Sequence, residues 1–114
     1  TPLQALIMLN DPTVLEAARV LAERLSLERT ASNEKITEAF RRIVCRRPEE
    51  KELKTLADYY NEQLEQFTSR KLNAGETLAV GEYPHEKNVD ANSAAALMKL
   101  ITLVYNLEET ITKT

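Results

Sequence analysis

The segment between residues 90 and 107 constrains the fold more than any other part of the chain. Its apolar residues form one helical stripe of Ala94, Leu97, Met98, Ile101, Val104 and Tyr105, and a second of Ala96, Leu100, Leu103 and Leu107. Two such stripes leave almost no polar side, and a helix that is apolar nearly all round is a buried helix. We therefore expect this helix at the centre of a bundle, with earlier helices packed around it.

Composition also favours an all-α fold. The chain has two glycines and four prolines in 114 residues, which is little material for the many turns of an all-β fold. Leu, Ala, Glu, Lys and Arg dominate, and these are good helix formers. A chain of this length is large enough for one core, so residues 1–114 are predicted to form a single domain. The predicted fold is a compact bundle of five or six helices with a buried C-terminal helix.

Five helices are predicted before the central one, each with a start or stop signal. Pro2 and Pro12 each follow a residue that can cap a helix, which predicts a helix start at both points. Ser32 is a predicted N-cap, Pro48 a predicted helix start, and Gly81 a predicted left-handed terminator. The predicted helices span residues 1–9, 11–27, 33–45, 48–70 and 73–80, and Asp90 is predicted to cap the sixth.

Apolar spacing assigns an inner side to three of these helices. The predicted inner residues are Val14, Ala17, Ala18, Leu21 and Leu25, then Ile36, Ala39, Phe40, Ile43 and Val44, then Leu53, Leu56, Ala57, Tyr60, Leu64 and Phe67. The outer side of the second helix is predicted to carry Glu16, Arg19, Glu23 and Arg24. Arg19 and Glu23 lie four residues apart, which is the spacing of an ion pair on a helix surface.

Several short motifs resemble a domain of unknown function that forms the C-terminal part of large, exported, planctomycete-type cytochrome c-associated proteins. The similar stretches are Thr1-Pro2-Leu3-Gln4-Ala5-Leu6 with Leu9-Asn10-Asp11-Pro12, Tyr60-Asn61-Glu62-Gln63-Leu64, Leu78-Ala79-Val80-Gly81-Glu82 with Pro84, and Asn106-Leu107-Glu108-Glu109 with Lys113. The resemblance covers essentially the whole chain. It implies that the chain is the C-terminal fragment of a larger protein and that this protein is periplasmic or belongs to the cell envelope.

The resemblance implies a context but no reaction. Relatives in that family carry a haem-attachment Cys-x-x-Cys-His segment, and this sequence has one cysteine and no such segment. Haem binding is therefore not transferred, and no cofactor is expected in this domain. The leading hypothesis is a non-catalytic packing or interaction module within a larger exported protein. The alternative is a subdomain that contributes polar residues to an active site, with redox chemistry suggested only by analogy.

The polar residues of the family-like motif are the candidate site residues. Gln4, Asn10 and Asp11 could line a site shared with another part of the protein, but capping and turn formation also explain these residue types. His85 lies in the 81–90 loop near Glu82 and Glu86. One histidine with scattered carboxylates is a weak metal signal, so a solvated loop histidine is the favoured interpretation and no metal site is predicted.

A cluster of arginines lies near the end of the third predicted helix. Arg41, Arg42, Arg46 and Arg47 could bind phosphate, sulfate or an acidic partner, which would make a free-standing anion-binding domain. The favoured interpretation is an interaction with the helix dipole and with Glu49, Glu50 or Glu52. Cys45 lies among them and is interpreted as a small buried apolar residue rather than a nucleophile, because no histidine is close in sequence.

The predicted partner is the remainder of the same polypeptide. The net charge of −3 argues against a nucleic-acid binder. The sequence contains no run of about 18 apolar residues, so no membrane insertion is predicted. The stretch Leu3–Leu9 is apolar on nearly every side of two turns, apart from Gln4. This stretch is predicted to leave an apolar patch that is either exposed or hidden in contact with a second copy.

Overall fold

The computed structural model describes residues 11–112, with side chains described through residue 108. This part of the chain forms five helices and no strand. They are α1 (Pro12–Glu28), α2 (Ser32–Val44), α3 (Glu50–Thr68), α4 (Ala74–Leu78) and α5 (Ala91–Thr112). The all-α prediction is confirmed, whereas the helix predicted over residues 1–9, with Gln4, Asn10 and the Leu3–Leu9 stretch, lies outside the described residues.

Helix α5 is the centre of the bundle, as predicted. It packs against α1, α2, α3 and α4, and its side chains at Ala94, Leu97, Leu100 and Ile101 have no solvent exposure. Two polar residues of α5 are also buried, and both turn inward on the helix itself. Thr102 donates a 2.9 Å hydrogen bond to the Met98 carbonyl, and Asn106 donates one of 2.8 Å to the Thr102 carbonyl. The core therefore accepts these polar groups without leaving them unpaired.

The inner faces of α2 and α3 match the predicted spacing. Ile36, Ala39 and Phe40 are buried on α2, while Tyr60 and Phe67 are buried on α3. The remaining predicted members of both faces are buried or pack partly buried against the same core. No helix in the described part of the chain is both long and apolar enough to cross a membrane.

Most predicted helix ends are correct to within two residues. Asp11 caps α1 by accepting a 2.8 Å hydrogen bond from the Thr13 amide, and Asp90 accepts one of 2.9 Å from the Ser93 amide at the start of α5. Ser32 is not the N-cap of α2, since Ala31 holds that position without a side-chain bond. Pro48 does not start α3, because Glu49 forms a capping box with Glu52 and the helix begins one residue later, at Glu50.

The predicted orientation of α1 is wrong at three positions. Arg19 and Glu23, expected on the solvent side, are buried, whereas Ala17, expected in the core, is exposed. Ala18 and Leu25 are buried as predicted. The physical reason is that residues 80–86 cover this side of α1. Arg19 and Glu23 therefore have polar partners in that segment rather than in water.

Candidate functional site

Residues 80–86, which we call the strap, lie across α1. The strap begins after α4 and contains Gly81, whose φ of 74° is a left-handed conformation that glycine adopts without steric cost. A Cβ atom at this position would overlap the carboxylate of Glu16 on α1. Gly81 thus allows both the turn of the strap and its close approach to α1. It is not the helix terminator that was predicted, because α4 ends at Leu78 with Ala79 as its C-cap.

Arg19 is the main attachment of the strap to α1. Its guanidinium group, which is completely buried, donates hydrogen bonds to three backbone carbonyls of the strap. The N–O distances are 3.0 Å to Val80, 2.6 Å to Tyr83 and 3.4 Å to Pro84. Arg19 also forms a 3.1 Å ion pair with Glu23. One side chain therefore satisfies several carbonyl groups that have no helix or sheet partner.

Glu23 connects Arg19 to the end of the strap. Its carboxylate lies 2.9 Å from Nδ1 of His85 and accepts a 3.4 Å hydrogen bond from the Glu86 amide. Burial would raise the pKa of Glu23, but the hydrogen bonds from His85, Arg19 and the Glu86 amide outweigh burial and hold that pKa below its usual value. The carboxylate is therefore ionised at neutral pH, beside a buried cation.

Glu16 and Arg24 hold the strap on either side of this ion pair. The Glu16 carboxylate accepts 2.8 Å hydrogen bonds from the amides of Glu82 and Tyr83. Arg24 donates a 3.0 Å hydrogen bond to the Tyr83 hydroxyl and lies 5.8 Å from the centre of its ring. The four charged residues of α1 that were predicted to face solvent therefore all bind the strap. They are Glu16, Arg19, Glu23 and Arg24.

Sequence spacing does not reveal this attachment. Glu16, Arg19 and Glu23 form a polar row three and four residues apart, which is also the pattern of an ordinary solvated helix face. Their partners lie 61 to 67 residues further along the chain. The one local signal is Gly81, which marks a point where another group approaches the backbone closely. Among the described residues, every buried side-chain nitrogen and oxygen has a hydrogen-bond partner.

An open groove of about 660 Å³ lies beside the strap, between α1, α2 and α5. The side chains that form it are Thr13, Glu16, Ala17, Val20, Leu21, Arg24, Arg42, Ile43, Tyr83 and Tyr105. Apolar groups of Ala17, Val20, Leu21 and Ile43 line much of this surface, with a tyrosine from the strap and another from α5. Of the predicted inner residues, Ala17 is exposed in this groove, whereas Leu21 packs partly buried against the core and also lines the groove.

The motif residues fall in separate places. Asp11 is a helix cap, as the structural interpretation predicted. Glu82 is exposed and takes part in the strap through its backbone amide, while the ring of His85 is half-exposed and bound to Glu23 rather than simply solvated. Gln4 and Asn10 lie outside the described residues. Within residues 11–108, no group of three or more His, Cys, Asp or Glu side chains is arranged to hold a metal ion.

Three of the four clustered arginines pair with carboxylates. Arg41 and Arg42 both bind Glu38, with N–O distances of 2.7 and 3.2 Å, and Arg46 binds Glu52 at 2.8 Å. Hydrogen bonds and charge from Arg41, and to a smaller extent from Arg42, lower the pKa of Glu38 to about 2. Arg47 lines a cleft together with Arg29 and Glu38. The pairing of Arg46 with Glu52 agrees with the favoured interpretation. The carboxylates that bind Arg41 and Arg42 lie instead on α1 and α2.

The interpretation of Cys45 as a buried residue is wrong. Its side chain is exposed, and its backbone has a φ of 66° at the C-cap of α2. Its amide donates a 2.9 Å hydrogen bond to the Arg41 carbonyl, which ends the helix. Cys45 therefore occupies the left-handed position that glycine usually holds at the end of a helix.

Comparison with known families identifies the chain. The profile of the family described as PSD1, a protein of unknown function (DUF1553), matches residues 1–60, and the chain belongs to this family. No curated protein and no solved structure shows a significant match. The family assignment agrees with the predicted domain of unknown function.

Proposed function

We propose that this member of the PSD1 family is a non-catalytic helical packing module within a larger exported polypeptide. The resemblance to planctomycete-type cytochrome c-associated proteins supports the exported location, the C-terminal place in the polypeptide and the multidomain context. The charged groups on α1 support a non-catalytic role, because Glu16, Arg19 and Glu23 all bind the strap. In this proposal the module itself needs no cofactor.

The groove beside the strap is the single observation that carries the proposal. It exposes apolar groups of Ala17, Val20, Leu21 and Ile43 on a surface where α1, α2 and α5 meet. Exposed apolar surfaces that are rimmed by polar residues commonly mark interaction sites. The polar residues that line this groove together with them include Thr13, Glu16, Arg24 and Arg42.

The size of the groove favours a segment of the same polypeptide as its occupant. Ten residues form it, whereas a stable interface between separate proteins uses about 20–30 residues on each side. A smaller surface is sufficient within one polypeptide, because a linked segment has an effective concentration that can reach about the millimolar range. We therefore propose an apolar helical segment of the larger protein as the occupant.

Thiol labelling in two contexts tests this proposal. Ala17→Cys in a Cys45→Ser background places a reactive thiol in the groove, where Ala17 is exposed. We expect fast labelling in the 114-residue chain and labelling about tenfold or more slower in the complete gene product. Lys54→Cys in the same background is the control, since the Lys54 side chain is 80% exposed and far from the groove in sequence.

The control thiol should label equally in both contexts. Equal labelling of the Ala17→Cys thiol in the two contexts would contradict the proposed docking. A complete gene product that adds no sequence to the 114 residues would also contradict it. Protection of both thiols would indicate a different or larger interface and would overturn the assignment of this groove.

A further inference from the structure

A second pocket, of about 350 Å³, is lined by residues of α1, α3, α4, α5 and the strap. It shares no lining residue with the groove described above. We propose that this pocket binds a small molecule in which a short aliphatic chain carries a carboxylate, with Lys99 as the group that binds the anion. This ligand site is additional to the packing role and does not depend on what occupies the groove.

The apolar lining of the pocket suits an aliphatic chain. Leu15 of α1 and Val80 of the strap pack partly buried against the core, and Met98 of α5 is only 3% exposed. The volume lies near the lower end of the range of about 300–1,000 Å³ that is typical of ligand pockets. A short chain placed against these side chains would remove apolar surface from water, which favours binding.

Lys99 gives the pocket its preference for an anion. It is the one charged residue in the sequence between positions 91 and 107, on the central helix, and it is partly buried. Within residues 11–108 its ammonium group has no ion pair and no hydrogen-bond partner. The lysine therefore lines the pocket without a bound counter-charge, and a ligand carboxylate would supply a charge-assisted hydrogen bond.

The groove beside the strap also contains cations and apolar groups, but its cations are already in use. Arg24 donates a hydrogen bond to a tyrosine of the strap, and Arg42 forms ion pairs with two carboxylates. A carboxylate in the groove would have to compete with these contacts. The pocket at Lys99 is therefore the more favourable place for a small anion.

The other polar side chains of the pocket include two free donors and one opposing charge. Burial, and to a smaller extent the charge of Glu62, raise the pKa of Tyr59, so its hydroxyl keeps its proton at neutral pH and can donate. Thr77 offers a second hydroxyl, whereas the hydroxyl of Thr102 already donates to a backbone carbonyl. The exposed Glu76 also lines the pocket and would repel an anion.

Titration of the 114-residue chain with hexanoate at pH 7 tests the site, because a carboxylic acid is ionised at this pH. The readout is the set of amide chemical shifts in nuclear magnetic resonance spectra. We expect saturable shifts at the amides of Met98, Lys99 and Thr102, and none at Tyr83 in the groove.

Two series of probes separate the chain from the charge without any change to the protein. From propanoate to hexanoate, each added CH₂ should strengthen binding about two- to fourfold, because more apolar surface is buried. Hexan-1-ol has the same chain without the carboxylate and should bind about tenfold more weakly than hexanoate.

Three variants test the role of the lysine. Lys99→Gln keeps a hydrogen-bond donor but loses the charge, and should weaken hexanoate binding about tenfold. Lys54→Gln is the matched control, since Lys54 is an exposed lysine of α3 that does not line the pocket, and it should bind like the parent chain. Glu76→Gln removes the opposing charge and should bind hexanoate at least as tightly as the parent chain.

Several results would overturn the assignment. They are an absence of saturable shifts in the parent chain, shifts centred on the groove instead of the pocket, and equal binding of hexanoate and hexan-1-ol. Unchanged binding in Lys99→Gln would also overturn it, as would a loss in Glu76→Gln as large as that in Lys99→Gln. Should Lys99→Gln fail to fold, the two probe series on the parent chain still decide the question.

Discussion

Helix α5 and the strap are held in place in opposite ways. Helix α5 is buried by apolar contacts with the other four helices of the described residues, and its buried Thr102 and Asn106 side chains donate hydrogen bonds to carbonyls of the same helix. The strap is attached by charged side chains of α1, centred on the completely buried Arg19. Apolar packing is non-directional and tolerates many residue types, whereas the attachment of the strap needs particular donors at particular distances.

This difference predicts different responses to substitution. Loss of a core side chain leaves a cavity that neighbours can partly fill. Loss of one charged partner in the strap attachment leaves the other partner buried and unpaired, which no rearrangement of apolar groups can correct.

Arg19→Met should lower the free energy of unfolding by about 3–5 kcal/mol. The reason is that Glu23 then remains buried without its cation, and the carbonyls of Val80, Tyr83 and Pro84 lose their shared donor. Urea denaturation followed by circular dichroism measures the loss. Arg24→Met, which removes an exposed arginine that contacts the strap from outside, should have a much smaller effect.

The double variant Arg19→Met with Glu23→Leu sharpens the same comparison. Removal of both charges leaves no buried charge unpaired, so the double variant should be more stable than Arg19→Met alone. A double variant that loses the sum of the two single effects would mean that the two residues act independently. That result would contradict a coupled attachment.

Leu100→Ala should lower the free energy of unfolding by about 2–5 kcal/mol, as should Ile101→Ala, because both side chains are fully buried in α5. Thermal or urea denaturation measures the change. Leu27→Ala is the control, since Leu27 is 49% exposed and its truncation should have little effect. Small changes for both core variants would show that α5 does not carry the core.

Gly81→Ala should destabilise the chain by about 1–3 kcal/mol. The added Cβ would need both a left-handed backbone and displacement of the Glu16 carboxylate, which accepts from two strap amides. Gly75→Ala in α4 is the matched control, because Gly75 does not have a positive φ. Equal effects of the two substitutions in urea denaturation would contradict a special role for Gly81.

The acid sensitivity of the fold should depend in part on Glu23. Its pKa is lowered in the folded state, so its contribution to stability is present above the ordinary glutamate value and is lost as the pH falls below it. Denaturation midpoints between pH 5 and pH 2 should therefore fall less steeply in Glu23→Gln than in the parent chain. Parallel curves would contradict this contribution.

Cys45→Gly should raise the free energy of unfolding slightly, by about 1 kcal/mol or less. Glycine adopts the left-handed conformation of this C-cap without a clash, and the Cys45 side chain that is removed is exposed. Cys45→Ala should give no such gain, because alanine retains the Cβ atom. A gain that is equal for both variants would contradict the conformational explanation.

The sequence was sufficient to predict the burial of helix α5 but not the attachment of the strap by charged residues of α1. The spacing of Leu97, Leu100 and Ile101 repeats within one segment, so a local pattern already contains the information that this helix is buried. The strap attachment joins Arg19 to carbonyls 61 or more residues away, and backbone carbonyls have no signature in the sequence. Arg19 and Glu23 therefore resembled a surface pair.

The helix ends show the same limit on a smaller scale. Asp11 and Asp90 were correctly predicted as caps because each has a side-chain oxygen that can reach an amide within the next few residues. Ser32 was equally suitable by type, yet Ala31 holds the N-cap position of α2. The groove could not be predicted either, since it depends on how α1, α2 and α5 meet and not on any one segment.

The central position of α5 also has a consequence for how the chain reaches its fold during synthesis. Translation delivers α1 to α4 before α5, and each of these helices packs against α5. Until α5 has left the ribosome, their apolar faces lack their main cover, and the nascent chain presents the kind of surface that promotes aggregation. Folding of this domain is thus expected to wait until α5 has emerged from the ribosome.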